Sequence, residues 1–364
     1  MDEKVVVQII TKYLRKGNMA RCLRDILPSS GLSKEQREEI AETVHDVVRW
    51  RRLYEHIIEV SDLPPSAETY LKLALDGAQA DASLYPFEYR YSCSSYIANI
   101  LKDHAEWAGY LNETPPTTLC VNFNKSTMDN VITLLQQDNL PAERSLLPTA
   151  LLTTSISKYS QVIQQRFAHV QDETSQLVSF LAASRDEFIF DFCAGSGGKS
   201  LTMASITKNT KKLHAYELNA EKRTTLKQRC DEYDAHVIVE DKPSKKKYDL
   251  VLVDAPCTGL GAARRNPEAK YIKQSGDLPQ IQLSILQQAA ASVKEGGMLF
   301  YAVCTVTPEE TTKVIHTFLK DDRFTLTSFD DHPYKKFLLK TDSGAFSALP
   351  RGDLFFLSVL RKEQ

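Results

Sequence analysis

No apolar run in this chain reaches the roughly 18 residues that would span a bilayer. The start, Met1 to Arg15, is charged and lacks the apolar core and small-residue cleavage site of a secretory signal. A cytoplasmic protein with no membrane association is therefore expected. The seven cysteines are odd in number and contain no Cys-x-x-Cys pair, which argues against a disulfide framework and a zinc site, so reduced thiols and no metal are expected. Basic charge is not in excess either. The formal net charge is -2, so any nucleic-acid contact must come from local patches. Apart from the short loop Lys245-Lys246-Lys247 there is no low-complexity tract, and no internal repeat.

What remains is a composition typical of folded domains, 42% hydrophobic and 25% charged over 364 residues. That length suggests about two or three domains. From Val5 to Glu59 apolar residues recur at helical spacing, as in Ile40, Val44, Val47 and Val48, and Ser33 with Gln36 has the form of a capping box. Lys12, Arg15, Lys16, Arg21 and Arg24 form a basic run with no acid until Asp25. This is either a phosphate-binding surface or a solvated helix face. Pro64-Pro65 and Pro115-Pro116 interrupt the helical pattern, and the second pair precedes a strand-like run, Thr118 to Asn122. These signals predict an all-α domain over 1–114 and a small α/β module over 115–185 with a helix from Met128 to Asp138. Over 186–364, strands at Phe188 to Phe192, Leu213 to Leu218, His236 to Glu240, Tyr248 to Asp254 and Met298 to Val303 alternate with helices. That alternation is the mark of an α/β, doubly wound and mainly parallel sheet, whose ligands bind beyond the carboxyl ends of its strands.

The informative residues sit at those ends. The first strand runs into a glycine-rich turn, Cys193-Ala194-Gly195-Ser196-Gly197-Gly198-Lys199, where glycine lets the backbone turn sharply and approach a ligand. Its spacing matches neither a Walker A loop nor Gly-x-Gly-x-x-Gly. The second strand ends at Glu217, placed to accept both hydroxyls of a ribose, and Asp241 follows the third strand, placed for an adenine contact. The fourth ends in Asp254-Ala255-Pro256-Cys257 and the fifth in Val303-Cys304-Thr305, followed by Pro308-Glu309-Glu310. A lone buried cysteine is commonly an inert small hydrophobe, but two at neighbouring strand ends beside a cofactor turn point to chemistry. Carbon 5 of cytosine is too weak a nucleophile to attack a methyl sulfonium. A thiolate adding at carbon 6 makes it enamine-like, and a carboxyl group at ring nitrogen 3 stabilises the developing charge. One Cys and one Asp are the minimum kit, and a second Cys can assist release.

At these residues the chain resembles the RsmB/Sun family of RNA cytosine-5 methyltransferases, through Asp-Ala-Pro-Cys, Val-Cys-Thr, Phe167 to Leu177, and Arg264-Arg265-Asn266-Pro267-Glu268. The resemblance implies a Rossmann-like methyltransferase domain preceded by a NusB-like helical RNA-binding domain, the latter consistent with Ala41 to Trp50. It implies S-adenosylmethionine as cofactor, held by Cys193 to Lys199, Glu217, Asp241 and Asp254. It also implies Cys304 as nucleophile, Cys257 as promoter of release, and Arg264 and Arg265 facing RNA. An RNA partner is expected, rRNA ahead of tRNA, acted on by a monomer. Two departures stand out. The turn reads Ala-Gly-Ser-Gly-Gly-Lys where the family has Ala-Ala-Pro-Gly-Gly-Lys, which should loosen it. The closing segment Pro350 to Phe356 lacks the family's His and Asp-Gly order. Competing readings are a tRNA cytosine-5 methyltransferase, a DNA cytosine-5 methyltransferase using Cys257 as nucleophile, and a catalytically silent RNA-binding factor. The DNA enzyme is disfavoured because no Glu-Asn-Val-like segment follows Cys257.

Overall fold

The chain, seen in a computed structural model that describes residues 1–154, 156–184 and 187–363, divides into two compact units. The first is helical and holds Met1–Thr114 together with Ala262–Gln274. Its helices are α1 (Glu3–Lys16), α2 (Met19–Ile26), α3 (Lys34–Arg49), α4 (Arg51–Val60), α5 (Ala67–Leu75), α6 (Phe87–Arg90), α7 (Ser95–Leu101) and α8 (Ala105–Tyr110). Asp2 caps α1 through the amides of Lys4 and Val5, and α1 buries Val6, Ile9, Ile10 and Tyr13, one face at helical spacing. Ser33 and Gln36 close the capping box of α3, which buries Ile40, Val44, Val47 and Val48.

The second part of this unit, Ala262–Gln274, comes from far along the chain and is tied into the helices by polar contacts. The Glu268 carboxylate accepts from the amides of Asn18 and Met19 at 2.9 and 3.1 Å, capping α2. Lys270, 1% exposed, donates to the carbonyls of Arg49 (2.8 Å) and Tyr91 (3.2 Å) and to Asn112 Oδ1. The Tyr271 hydroxyl donates to the carbonyls of Val48 and Arg49 at 2.6 and 2.9 Å. These two donors meet the open carbonyls at the C-terminal end of α3, where a cation and hydroxyl are favoured.

The second unit holds Pro115–Gly261 and Ser275–Gln364. It begins with a small antiparallel sheet of β1 (Thr117–Val121), β2 (Glu143–Arg144), β3 (Ala150–Thr153) and β4 (Ala168–Val170), in the order β2-β3-β1-β4. Two helices, α9 (Met128–Gln137) and α10 (Gln161–Gln164), accompany it. This small sheet shares a compact unit with the large one: Asn122 donates to the carbonyl of Tyr233 at 2.8 Å, and the Phe123 amide to Ser205 Oγ at 2.7 Å. The boundary expected between 185 and 186 lies outside the described residues.

After α11 (Glu173–Ala183) come β5 (Phe188–Asp191), α12 (Gly198–Ile206), β6 (Lys212–Tyr216), α13 (Ala220–Glu232), β7 (Val237–Glu240), β8 (Tyr248–Asp254), α14 (Leu278–Ala290) and β9 (Val293–Val303). α15 (Thr312–Phe318), β10 (Phe324–Thr327), β11 (Leu338–Lys340), β12 (Ala345–Ser347) and β13 (Phe356–Lys362) complete the unit. The large sheet has the order β11-β12-β13-β9-β8-β5-β6-β7, with β10 paired to β13. β5 to β9 run parallel, and β10 to β13 extend the sheet in antiparallel pairs. Strand order reverses between β5 and β8, the switch point where the carboxyl ends leave a crevice. Among the described residues no helix is long and apolar enough to cross a membrane.

Candidate active site

At the carboxyl end of β5 the glycine-rich turn is built by its own amides. Gly197 donates to the carbonyl of Ala194, and Ala194 to that of Tyr216 at the end of β6, both at 2.9 Å. Gly195 and Gly197 have φ of 56° and 94°, a region that only glycine enters cheaply. A Cβ at Gly197 would also come within 2.5 Å of Leu226 Cδ1. Glu217, just past β6, closes the turn: Oε2 accepts from Gly195 N at 2.9 Å and Oε1 from Asn219 N at 2.8 Å. Each oxygen is thereby aimed, with a second lone pair still available for a hydroxyl donor. Cys193 is half-buried, and burial drives its thiol far above the ordinary range. Asp241 follows β7 but is exposed and held by Lys227 (2.9 Å) and Arg223 (3.5 Å). The hydrogen bond from Lys227 keeps its carboxyl below the usual range.

Across the switch point lies Asp254, at the end of β8. Its Oδ2 meets Lys199 Nζ at 2.6 Å. Lys199 is buried, with Nζ 5.3 Å from the Phe355 ring centroid. Burial works to lower its pKa, but the Asp254 carboxylate outweighs that and holds the ammonium above the ordinary lysine range. Asp191 is a residue of this site that sequence reasoning misses. It is buried, accepts from Ser200 Oγ at 2.6 Å, and is pushed up to about 7, chiefly by burial and then by the charge of Asp254. The signal is present in a carboxylate ending the apolar run Phe188-Ile189-Phe190.

Cys257 and Cys304 are free and half-buried, with their Sγ atoms 3.4 Å apart. The pair follows from the ladder, since β8 and β9 are parallel neighbours with Asp254 opposite Ala302. The hydrogen bond with Cys257, followed by burial, raises the Cys304 thiol well above its usual range, while the Lys199 ammonium opposes the rise. At rest Cys304 is therefore a thiol. Gly261 locks the chain beyond Cys257: its amide donates to the carbonyl of Cys304 and its carbonyl accepts from Leu354 N, both at 3.0 Å. A Cβ there would stand 1.8 Å from Leu354 O. The closing segment is seated on the start of α11, with Asp353 N 3.1 Å from both carboxylate oxygens of Asp172.

The structure gathers Cys193 to Lys199, Glu217, Asp254, Cys257 and Cys304 around the carboxyl ends of β5, β6, β8 and β9. Of the two arginines expected to face RNA, only Arg264 is buried. Arg264 is 2% exposed, its guanidinium lies 4.1 Å from the Tyr110 ring centroid, and its carbonyl accepts from Arg49 at 3.1 Å. Arg264, which the resemblance implies should face RNA, is instead taken into the helical unit by stacking and backbone contacts. Arg265 is half-buried. In α1, Lys12 bonds Asp25 at 2.6 Å, whereas Arg15 and Lys16 are exposed.

The sequence pattern of the family described as 16S rRNA methyltransferase RsmB/F matches residues 178–361. The chain is 33% identical over 223 residues to the probable ribosomal RNA small subunit methyltransferase B of Bacillus subtilis, covering 57% of this chain and 50% of that protein. It is 30% identical over 299 residues to ribosomal RNA small subunit methyltransferase B of Pasteurella multocida, covering 73% and 64%. The chain thus spans between half and two thirds of the length of these two relatives. Among solved structures, PH0851 superposes with a TM-score of 0.79 at 20% identity, covering 100% of this chain and 99% of that one. NSun6 from Pyrococcus horikoshii with SFG gives 0.64 at 15% identity, covering 74% and 97%. These two likenesses show the fold. The family match, over half its length, establishes that the chain belongs to the 16S rRNA methyltransferase RsmB/F family.

Proposed function

We propose that this chain transfers a methyl group from S-adenosylmethionine to carbon 5 of a cytosine in small-subunit rRNA, through a covalent adduct of Cys304 at carbon 6. The observation that carries this reading is the 3.4 Å approach of Cys257 and Cys304 beside the Lys199–Asp254 pair. The rRNA substrate is supported by the names of the relatives.

The residues present suit the cofactor. A doubly anchored carboxylate, Glu217, retains lone pairs for two ribose hydroxyls, and the turn beside it is open: a Cβ at Gly195 would meet nothing within 4 Å. A likeness that was solved with SFG, an analogue of S-adenosylmethionine, supports the same cofactor. When bound, S-adenosylmethionine supplies an electrophilic methyl group. Both cations meet Oδ1 of Asp241, which leaves Oδ2 to accept from an adenine amino group.

Cys304 must lose its proton before it adds to carbon 6. Lys199 favours the thiolate by its charge, and Cys257 can hydrogen-bond to it. Asp254 has one oxygen on Lys199; the proton given up by Cys304 can pass to the other, which then donates it to ring nitrogen 3, where negative charge develops as the thiolate adds. Once carbon 5 carries the methyl group, its hydrogen leaves as a proton and the Cys304–carbon 6 bond breaks; Cys257 is placed to handle that proton. The helical unit is assigned RNA affinity, through the exposed Arg15 and Lys16. The enzyme is proposed to be cytoplasmic, in keeping with seven free cysteines, and to act as a monomer.

A labelled-methyl assay on small-subunit rRNA, total tRNA and DNA tests this. Label in 5-methylcytosine of rRNA is expected. Label confined to tRNA would move the substrate, label in DNA would overturn the reading, and S-adenosylmethionine binding without any transfer would indicate an RNA-binding factor.

A further inference from the structure

Glu310 lies beyond β9 and is wholly buried, yet the chemistry above does not use it. Its carboxylate is met by five neutral donors. Oε1 accepts from the hydroxyls of Thr258 (2.6 Å), Thr307 (2.7 Å) and Ser275 (3.3 Å). Oε2 accepts from Thr258 N (2.9 Å) and Gln282 Nε2 (3.0 Å). Burying a carboxylate costs several kcal/mol even after relaxation, and replacing such a group by a well-packed apolar one is often neutral or stabilising. Stability is therefore a weak account of this residue.

The donors have a common location. Thr258 follows Cys257, and Gln282, besides bonding Glu310, donates to the carbonyl of Pro256 at 2.9 Å. Cys257 is thus held on both sides by bonds that converge on one carboxylate. The Thr258 hydroxyl also lies 2.9 Å from that of Thr305, the residue after Cys304. Ser275 marks the point where the chain re-enters this unit after Ala262–Gln274. One side chain therefore gathers the loop after β8, the loop after β9 and the returning segment.

We propose that Glu310 is a positioning residue that sets Cys257 at hydrogen-bonding distance from Cys304. This rests on the reading of those cysteines as the reacting pair. The role is geometric. Glutamine can keep it, since its carbonyl oxygen accepts from Thr258 N and Gln282 while its amide nitrogen donates to the hydroxyls of Thr258 and Thr307, which accept as readily as they donate. Alanine cannot.

The test reads the thiols directly in the full chain. Dibromobimane becomes strongly fluorescent when both its arms are alkylated by two neighbouring thiols, and Cys257→Ser defines the background from other cysteines. In Glu310→Ala the bridged yield should fall at least fivefold and kcat for RNA methylation at least tenfold, with KM for RNA and Kd for S-adenosylmethionine within twofold. Glu310→Gln should keep at least a third of both yield and rate with an unmoved pH–rate profile. Unchanged bridging in a folded Glu310→Ala protein would overturn the proposal, as would a displaced pH profile in Glu310→Gln, which would make the charge the working feature. Should the alanine variant not fold, Thr258→Val removes only the hydroxyl link, and its bridged yield should fall about threefold; no fall counts against the clamp. A wild-type protein that bridges its thiols but methylates no RNA would refute the proposed reaction and leave the clamp to be judged by bridging alone.

Discussion

Cys257 and Cys304 are separated by 47 residues in sequence and by 3.4 Å between their Sγ atoms. At this distance either thiol can donate a hydrogen bond to the other. Their mutants should fail differently. Cys304→Ala should abolish methylation and form no covalent complex, because carbon 6 is never attacked. Cys257→Ala should still attack and methylate but release slowly, leaving RNA-linked protein as a shifted band on a denaturing gel. An adduct that accumulates in Cys304→Ala and not in Cys257→Ala would reverse the roles.

Glu217 holds the turn as well as facing the proposed ribose. Glu217→Ala should weaken S-adenosylmethionine binding by about 1.5–3 kcal/mol, the range for hydrogen bonds to a charged group, or roughly ten- to a hundredfold. Glu217→Gln should also bind poorly, because its amide nitrogen would face the Gly195 or Asn219 amide, two donors opposed. Isothermal titration measures both, and wild-type affinity in either variant would remove Glu217 from the site.

The basic run in the helical unit is partly neutralised, with Lys12 on Asp25 and Arg21 at 4.0 Å from the same carboxylate. Replacing the exposed Arg15, Lys16 and Arg24 by Gln should therefore matter more than replacing Lys12. Each phosphate partner removed in this way should reduce the slope of log K against log salt by about 0.7 for single strands to 0.9 for duplex, while S-adenosylmethionine affinity stays constant. RNA binding with an unaltered salt slope would make the run a solvated face.

Lys270 gives the helical unit a pH dependence. Burial pulls its ammonium down to about 7, against a smaller upward effect of Cys93, whereas in the unfolded chain a lysine titrates near 10.4, roughly. Below pH 7 both states hold the proton and the burial penalty is fully present. Between pH 7 and about 10 the unfolded state binds more protons, so stability rises with pH. Denaturant midpoints taken across that window should rise more steeply in the wild type than in Lys270→Met. Parallel curves would mean that the oxygens of Arg49, Tyr91 and Asn112 keep the ammonium charged throughout.

Much of this was legible in the sequence because it depends on neighbours along the chain. The capping box of Ser33 and Gln36, the buried stripe of α3 and the strands β5 to β9 follow from residues a few positions apart, whose periodicity reports which face is apolar. The glycine turn and Glu217 were legible for the same reason, since a tight turn needs glycine locally. Three things were not. Lys12 looked unpaired because Asp25, the acid that meets it in the fold, lies 13 residues on in sequence. Arg264 was expected to face RNA because nothing local announces that Tyr110 receives it. Glu310 carried no role in the sequence because its donors lie between 3 and 52 residues away.

The sequence by itself determined which residue types could react and at which strand ends they stand, because strands and turns are specified by short-range pattern. Only the tertiary structure decided the distance between Cys257 and Cys304, the carboxylate that ties their loops together, and the uptake of Ala262–Gln274 into the helical unit. Those depend on the order of strands in the sheet and on contacts between segments far apart in the chain, which the packing of the whole core selects and no local pattern encodes.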